Sequence, residues 1–159
     1  MNIKLKAKNK KRLAKLAIEL LKNSYGNKVK AGDRTLDFNM ETYCARGNNH
    51  NHLGPDQFHC GTSCCFVGYA PNVFPVTRKM DDWDQVVEHI IGLDPYSQKG
   101  DKVFITLFDM EWPNDPKLAA CRALKVLKDG VDENISVRNF QYNKNYPKET
   151  LLKELAAFA

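Results

Sequence analysis

Histidine and cysteine residues concentrate between positions 50 and 65 of the chain. Imidazole and thiolate groups are ligands that zinc prefers, and a tetrahedral zinc site needs four of them. Cys60 and Cys64 are four residues apart, so both could lie on one face at the start of a helix. The candidate metal ligands are His50, His52, His59, Cys60 and Cys64. Because Cys-x3-Cys with His-x-His is not one of the strong zinc spacings, a buried cysteine cluster beside a polar loop is the alternative.

The same segment could instead carry thiol chemistry. A cysteine at a helix N-terminus has its thiolate stabilised by the helix dipole, and His59, directly before Cys60, could assist it. No orienting acid can be named from the sequence, so no catalytic residue is assigned. The chain contains no phosphate-binding glycine loop, no Gly-x-Ser-x-Gly elbow and no His-Glu-x-x-His pair. The sequence favours a protein without enzymatic activity, with a zinc-binding or thiol-dependent enzyme centred on residues 50–65 as the alternative.

The N-terminal segment is rich in lysine. Residues 1–30 contain ten Lys or Arg and one acid, Glu19, so their formal charge is +9, while the rest of the chain carries −4. Clusters of this kind make sequence-independent contacts to phosphates or acidic partners. The candidate binding residues are Lys8, Lys11, Arg12 and Lys15. The alternative is a solvated lysine face on a packed helix. Aromatic residues do not interleave with these lysines in sequence, as they do on surfaces that bind single-stranded nucleic acid.

Apolar periodicity predicts the helices that would position these residues. The leading helix covers residues 9–23, with Leu or Ala at i, i+3, i+4, i+7 and i+8, and the first eight residues are expected to form a disordered basic arm. Similar stripes predict helices at 82–92, at 116–129 and from Pro147 to the end. His89 lies just off its stripe and is interpreted as an ordinary surface residue.

The cysteine stretch is expected to be a close-packed helix from about Cys60 to Ala70, ended by Pro71. Glycine inside a helix costs about 1 kcal/mol relative to alanine, so we expect another helix to approach Gly68 closely. Residues 44–59 are rich in Gly, Asn and Pro and predict an irregular loop. Residues 35–40 alternate apolar and polar side chains, which predicts a short extended segment.

Length and composition bound the remaining possibilities. A chain of 159 residues is enough for one domain with a real core. No window approaches the roughly 18 apolar residues of a membrane span, and the basic start is not followed by the apolar region of a secretory signal. We therefore expect a cytoplasmic protein with reduced thiols, in which Cys44 and Cys121 are small buried residues. The predicted fold is mainly α: a compact single-domain bundle of five or six helices over residues 1–159, with a long irregular loop and a short strand.

Cys60-Gly61-Thr62, followed by Cys65, Gly68 and Ala70, resembles the Cys-Gly-Thr-x-x-Cys-x-x-Gly-x-Ala signature of small uncharacterised phage and prophage proteins. The leading Leu-Ala helix, the Phe38-Asn39-Met40 segment and the Leu107-Phe108…Trp112 spacing are similar to those proteins in the same order. The resemblance implies a helix at residues 102–110, which the apolar pattern alone leaves open between strand and helix. This chain differs from the family pattern by Cys64 and by a histidine-containing insertion at 46–59.

The resemblance implies a context rather than a reaction. We expect a small phage-type accessory protein that acts in the host cytoplasm by binding a host protein or nucleic acid. We do not expect a membrane to be among its partners. No cofactor is assigned beyond the zinc that the histidine and cysteine segment could hold.

Overall fold

A computed structural model describes residues 2–47 and 51–159 of the chain. In these ranges the helices are α1 (Ala7–Lys22), α2 (Ala70–Val73), α3 (Trp83–Ile91), α4 (Gln98–Phe108), α5 (Pro116–Asp129) and α6 (Lys148–Ala156). Short 3-10 helices cover Pro55–Cys60, Val67–Tyr69, Pro75–Lys79 and Val137–Asn139. The strands are β1 (Asn2–Ile3), β2 (Ser24–Tyr25), β3 (Lys28–Ala31), β4 (Arg34–Phe38), β5 (Cys44–Arg46), β6 (Asn51–His52), β7 (Ser63–Cys64) and β8 (Val131–Asp132).

The fold is a mixture of helices and sheet, so the predicted helical bundle is wrong. Strands β2 to β7 form a six-stranded sheet in the order β2-β3-β4-β7-β5-β6, and β1 pairs with β8 in a separate two-stranded sheet. Most neighbours are antiparallel, but β4 and β7 are parallel. Most of these strands have only two or three residues, too few to show the alternation by which a strand is recognised in a sequence.

The β3–β4 hairpin is the part of the sheet with a clear local pattern. Buried and exposed side chains alternate along both strands, and the extended segment expected at residues 35–40 is confirmed in β4. Ala31 pairs with Arg34 across a two-residue turn in which Gly32 has φ of 65°. Such hairpin turns need positive φ, which glycine adopts without a steric penalty. Leu36 and Phe38 thereby point into the core.

The cysteine stretch does not form the predicted helix. Cys60 ends a 3-10 helix, Cys64 lies in the interior strand β7, and helical backbone begins only at Val67. Pro71 lies in the first turn of α2 instead of ending a helix, a position where proline's missing N–H is not needed. The segment extends because Ser63 and Cys64 pair on one side with β4 and on the other with β5.

The N-terminal residues also differ from the expected disordered arm. Asn2 and Ile3 pair with Asp132 and Val131, and both Ile3 and Leu5 are buried in the core. The free energy gained by burying these two side chains orders the start of the chain, including Lys4 between them. Helix α1 then begins at Ala7, two residues before the predicted start.

Helix α1 is the central packing element. Its apolar face is buried against α5, α6 and α3, with Leu13, Leu16 and Leu20 fully covered. Helices α3, α5 and α6 lie close to their predicted positions. The helix that the resemblance implied at residues 102–110 is present as α4, which begins earlier, at Gln98, and ends at Phe108. Asp115 caps α5 through its carboxylate, and Pro116 occupies the first turn.

Candidate functional site

The structure does not bring the predicted metal ligands together. His52 is exposed on β6, with Nδ1 3.1 Å from the hydroxyl oxygen of Thr42. His59 and Cys60 are exposed at the end of a 3-10 helix, whereas Cys64 is fully buried in β7. His50 lies outside the described residues. Within residues 2–47 and 51–159, no group of three or more His, Cys, Asp or Glu side chains could hold a metal ion.

The buried thiols are poorly suited to nucleophilic chemistry. Cys44 and Cys64 lie directly opposite each other across β5 and β7, and Cys65 follows them into the core. Burial raises the pKa of the Cys44 thiol to about 11 and that of Cys65 to about 12, and it raises the pKa of Cys64 as well. Because the reactive species is the thiolate, these three side chains act as small core residues at neutral pH. The burial expected for Cys44 and Cys121 is confirmed.

The predicted binding residues lie on one helix, and most of them face away from the protein. Lys8, Lys11 and Lys15 are exposed on α1, and Lys22 continues the same line. At 3.6 residues per turn these four side chains fall within about 60° of one another and span about 21 Å along the helix axis. We call Lys8, Lys11, Lys15 and Lys22 the basic face. Among the described residues, none of the four forms an ion pair with a carboxylate.

Arg12, the remaining predicted binding residue, has a structural role. Its Nη1 donates a hydrogen bond of 2.8 Å to the backbone carbonyl of His89, and Asn9 Nδ2 donates one of 3.1 Å to the carbonyl of Ile90. These carbonyls belong to the last turn of α3, where no intrahelical donor is available. Asn9 and Arg12 therefore fix the crossing of α1 on α3, and only part of the Arg12 guanidinium is free to meet a ligand.

The structure also places two residues beside the basic face that were not assigned to it from the sequence. Lys15 Nζ lies 5.7 Å from the centre of the Phe74 ring, which in turn meets the His89 ring edge-on at 5.8 Å. Burial lowers the pKa of His89, and the nearby charges of Arg12 and Lys8 lower it further. A phenyl ring and an imidazole therefore lie beside the lysines, although aromatic residues do not interleave with these lysines in the sequence. No local sequence signal could reveal this, because these residues are far apart along the chain.

Comparisons with known proteins add no family to this geometry. No family model, no curated protein and no solved structure matches the chain. Among the described residues, no helix is long and apolar enough to cross a membrane.

Proposed function

We propose that the protein is a small phage-type accessory protein that binds nucleic acid through the basic face of α1, in the cytoplasm of the host. The observation that carries this proposal is the set of four exposed lysines on one side of a single rigid helix, without carboxylate partners among the described residues. Contacts to a phosphate backbone require positive charge on an accessible surface but do not require a cavity. This helix offers that arrangement.

An acidic host protein is a less suitable partner for this surface. Protein interfaces are built around a core of apolar and aromatic side chains. Along the outward side of α1, Ile18 is the apolar side chain nearest the lysines, and it is half-buried. The lysine spacing supports contacts with successive phosphate groups. Phe74, at one border of the basic face, could contact a base or sugar.

Binding is tested by fluorescence anisotropy of a labelled duplex oligonucleotide at several salt concentrations. The test variant changes Lys8, Lys11, Lys15 and Lys22 to Gln, and the control changes the exposed Lys99, Lys144, Lys148 and Lys153 to Gln. Both lose the same charge. Substitution is preferable to truncation, since Ile3 and Leu5 are part of the core.

We expect the basic-face variant to bind more than tenfold more weakly than the wild type. Its slope of log K against log salt should fall by about 0.9 for each phosphate that the variant no longer neutralises. The control should stay within about twofold of the wild type. A wild-type protein that fails to bind the oligonucleotide, or equal losses of affinity in the two variants, would overturn the proposal.

The alternative function is a zinc-binding or thiol-dependent enzyme centred on residues 50–65. The exposed pair His59 and Cys60 supports it, but Cys64 points into the core and the described residues bring no set of ligands together. Elemental analysis of freshly purified protein decides between the two. Stoichiometric zinc that disappears in Cys60→Ala would favour the alternative.

A further inference from the structure

A cleft of about 350 Å³ lies apart from the basic face, between the β3–β4 turn, the 3-10 helix Pro55–Cys60 and the segment from α2 to Lys79. Its polar lining consists of Arg34, Asp56, His59, Asn72 and Arg78. Its apolar wall includes Ala31, Pro55 and Phe58. Two arginines, one histidine and one asparagine therefore line a concave surface whose lining includes one acidic residue, Asp56.

Arg34 is held rigidly at this cleft. Its Nη1 donates to the backbone carbonyls of Phe58, His59 and Gly61, at 3.2, 2.9 and 3.1 Å. Its guanidinium carbon also lies 5.2 Å from the centre of the Phe58 ring. Within the described residues, Nε and Nη2 make no hydrogen bond to the protein, so Arg34 is positioned by one nitrogen and keeps donors for a ligand.

Arg78 is anchored in a similar way from the other side. Its Nε donates a 2.7 Å hydrogen bond to the carbonyl of Pro71, and the two terminal nitrogens donate to no other described residue. Asn72 is fixed through Nδ2, which donates to the Tyr69 hydroxyl at 2.9 Å. Neither arginine forms an ion pair with a described carboxylate. The two guanidinium groups are therefore held in place by backbone carbonyls, and no described carboxylate pairs with their positive charge.

We propose that this cleft binds a phosphate group, either free or at the end of a small phosphomonoester. Arginine is suited to oxyanions because its planar fork presents several donors, and fixing that fork in advance lowers the entropy lost on binding. The cleft volume falls within the range of small-molecule pockets, and the apolar wall offers room for the organic part of a monoester. This site is independent of the proposed nucleic-acid binding by α1.

The negative charge of Asp56 repels an anion in the cleft, so removing this charge should strengthen phosphate binding. The Asp56 carboxylate lies close to Gly54 at the start of the 3-10 helix. A Cβ added to Gly54 would lie 2.9 Å from Oδ1 of Asp56. Removing this charge leaves both arginines in place. Asp56→Asn should therefore tighten phosphate binding about threefold, since like charges near a ligand weaken its binding.

The experiment titrates inorganic phosphate, a nucleoside 5′-monophosphate and the unphosphorylated nucleoside into the full chain, followed by calorimetry at constant ionic strength. Arg78→Gln should weaken phosphate binding about tenfold or more, because charge-assisted hydrogen bonds are removed. The matched control is Lys79→Gln, which removes the same charge from the next, exposed residue outside the cleft, and should change affinity less than twofold.

Equal affinities for phosphate and the monophosphate would assign the cleft to free phosphate, and a tighter monophosphate would assign it to a phosphomonoester. The nucleoside alone should not bind. Absence of saturable binding by the wild type, or equal weakening in Arg78→Gln and Lys79→Gln, would overturn the proposal. The four-lysine variant of the basic face should retain phosphate binding, which separates this site from the proposed function of α1.

Discussion

The guanidinium carbon of Arg122 lies 4.7 Å from the centre of the Trp112 ring. Arg122 is fully buried on α5, and the Tyr142 ring contacts it at 5.8 Å. Nη1 lies 3.4 Å from the Tyr142 hydroxyl, whereas Nε and Nη2 have no hydrogen-bond partner among the described residues. Burial lowers the pKa of this guanidinium. A buried cation therefore joins α5 to two aromatic residues without an ion pair to any described carboxylate.

Substitution of Arg122 should show that its shape contributes more to stability than its charge. A buried charge without a counterion loses hydration that aromatic faces only partly replace. We expect Arg122→Met to change the free energy of unfolding by less than about 1.5 kcal/mol, because volume is nearly kept. Arg122→Ala should lower it by about 3 kcal/mol, because a cavity opens beside Trp112. Urea unfolding followed by tryptophan fluorescence measures both.

Lys144→Met is the matched control for Arg122, since Lys144 also lies over the Tyr142 ring, at 5.3 Å, but on the surface. It should leave the free energy of unfolding within about 0.5 kcal/mol of the wild type. If Arg122→Met cost as much as Arg122→Ala, the cation–π contacts would be the dominant contribution, and the prediction would be wrong.

Local patterns determine the helices that the sequence predicts correctly. Helix α5 has both a capping Asp115 and Pro116 at its start, and α3 ends at Gly92 with φ of 75°. Each of these signals acts over four residues or fewer, so it can be read without knowledge of the fold.

The sheet and the site could not be found in this way. β7 is two residues long, and it extends because it pairs with strands that lie 18 or more residues earlier in the chain. Phe74 borders the basic face through its contact with Lys15. His89 borders it through its contact with Phe74 and the hydrogen bond from Arg12 to its carbonyl; neither residue's contacts leave a signal in the local sequence. Non-local pairing extends Ser63 and Cys64, which is why the helix predicted to start near Cys60 is wrong there and helical backbone begins only at Val67.

The sequence predicts that another element approaches Gly68 closely, and the structure shows such an approach. The neighbour is the backbone of Tyr43, directly before β5, and not the expected helix. A Cβ added to Gly68 would lie 1.5 Å from the carbonyl oxygen of Tyr43. We expect Gly68→Ala to lower the free energy of unfolding by about 3 kcal/mol or more, since backbone must move to relieve the overlap. Thermal unfolding by circular dichroism measures this.

Gly26→Ala is the control for Gly68, because a Cβ there meets nothing within 4 Å. Its φ of 60° alone should cost about 1 kcal/mol. Equal destabilisation by the two substitutions would show that the contact with Tyr43 does not determine the requirement for glycine.

Thiol accessibility provides a test of the cysteine arrangement. Cys60 is exposed, and Cys44, Cys64, Cys65 and Cys121 are buried. Brief treatment of native protein with iodoacetamide at pH 8 should label Cys60 and leave the other four unmodified, because burial blocks access and raises their pKa values. Peptide mass spectrometry reads out the label. Cys60→Ser should abolish fast labelling, and rapid labelling of Cys64 would contradict the placement of β7.

His89 should make stability depend on pH. Its pKa is lowered from the usual 6.5 by burial and by Arg12 and Lys8, so the unfolded chain binds a proton more readily than the folded one. The free energy of unfolding should therefore fall as pH decreases from about 7 through the folded-state pKa. Denaturant titrations at several pH values measure this slope, and His89→Gln should reduce it. An identical slope in the variant would exclude His89 as its source.

The same histidine reports on nucleic-acid binding at the basic face. Phosphates beside Lys8 would offset the positive charges that now disfavour protonation of His89, so bound oligonucleotide should raise its pKa. By linkage, affinity for the oligonucleotide should then increase as pH falls. An NMR titration of the His89 ring proton, assigned by its disappearance in His89→Gln, compares the free and bound protein. Lys8→Gln should raise the pKa of His89 in the free protein, and it should reduce the further rise on binding. A His89 pKa that does not move at saturating oligonucleotide would place the bound phosphates away from this end of α1.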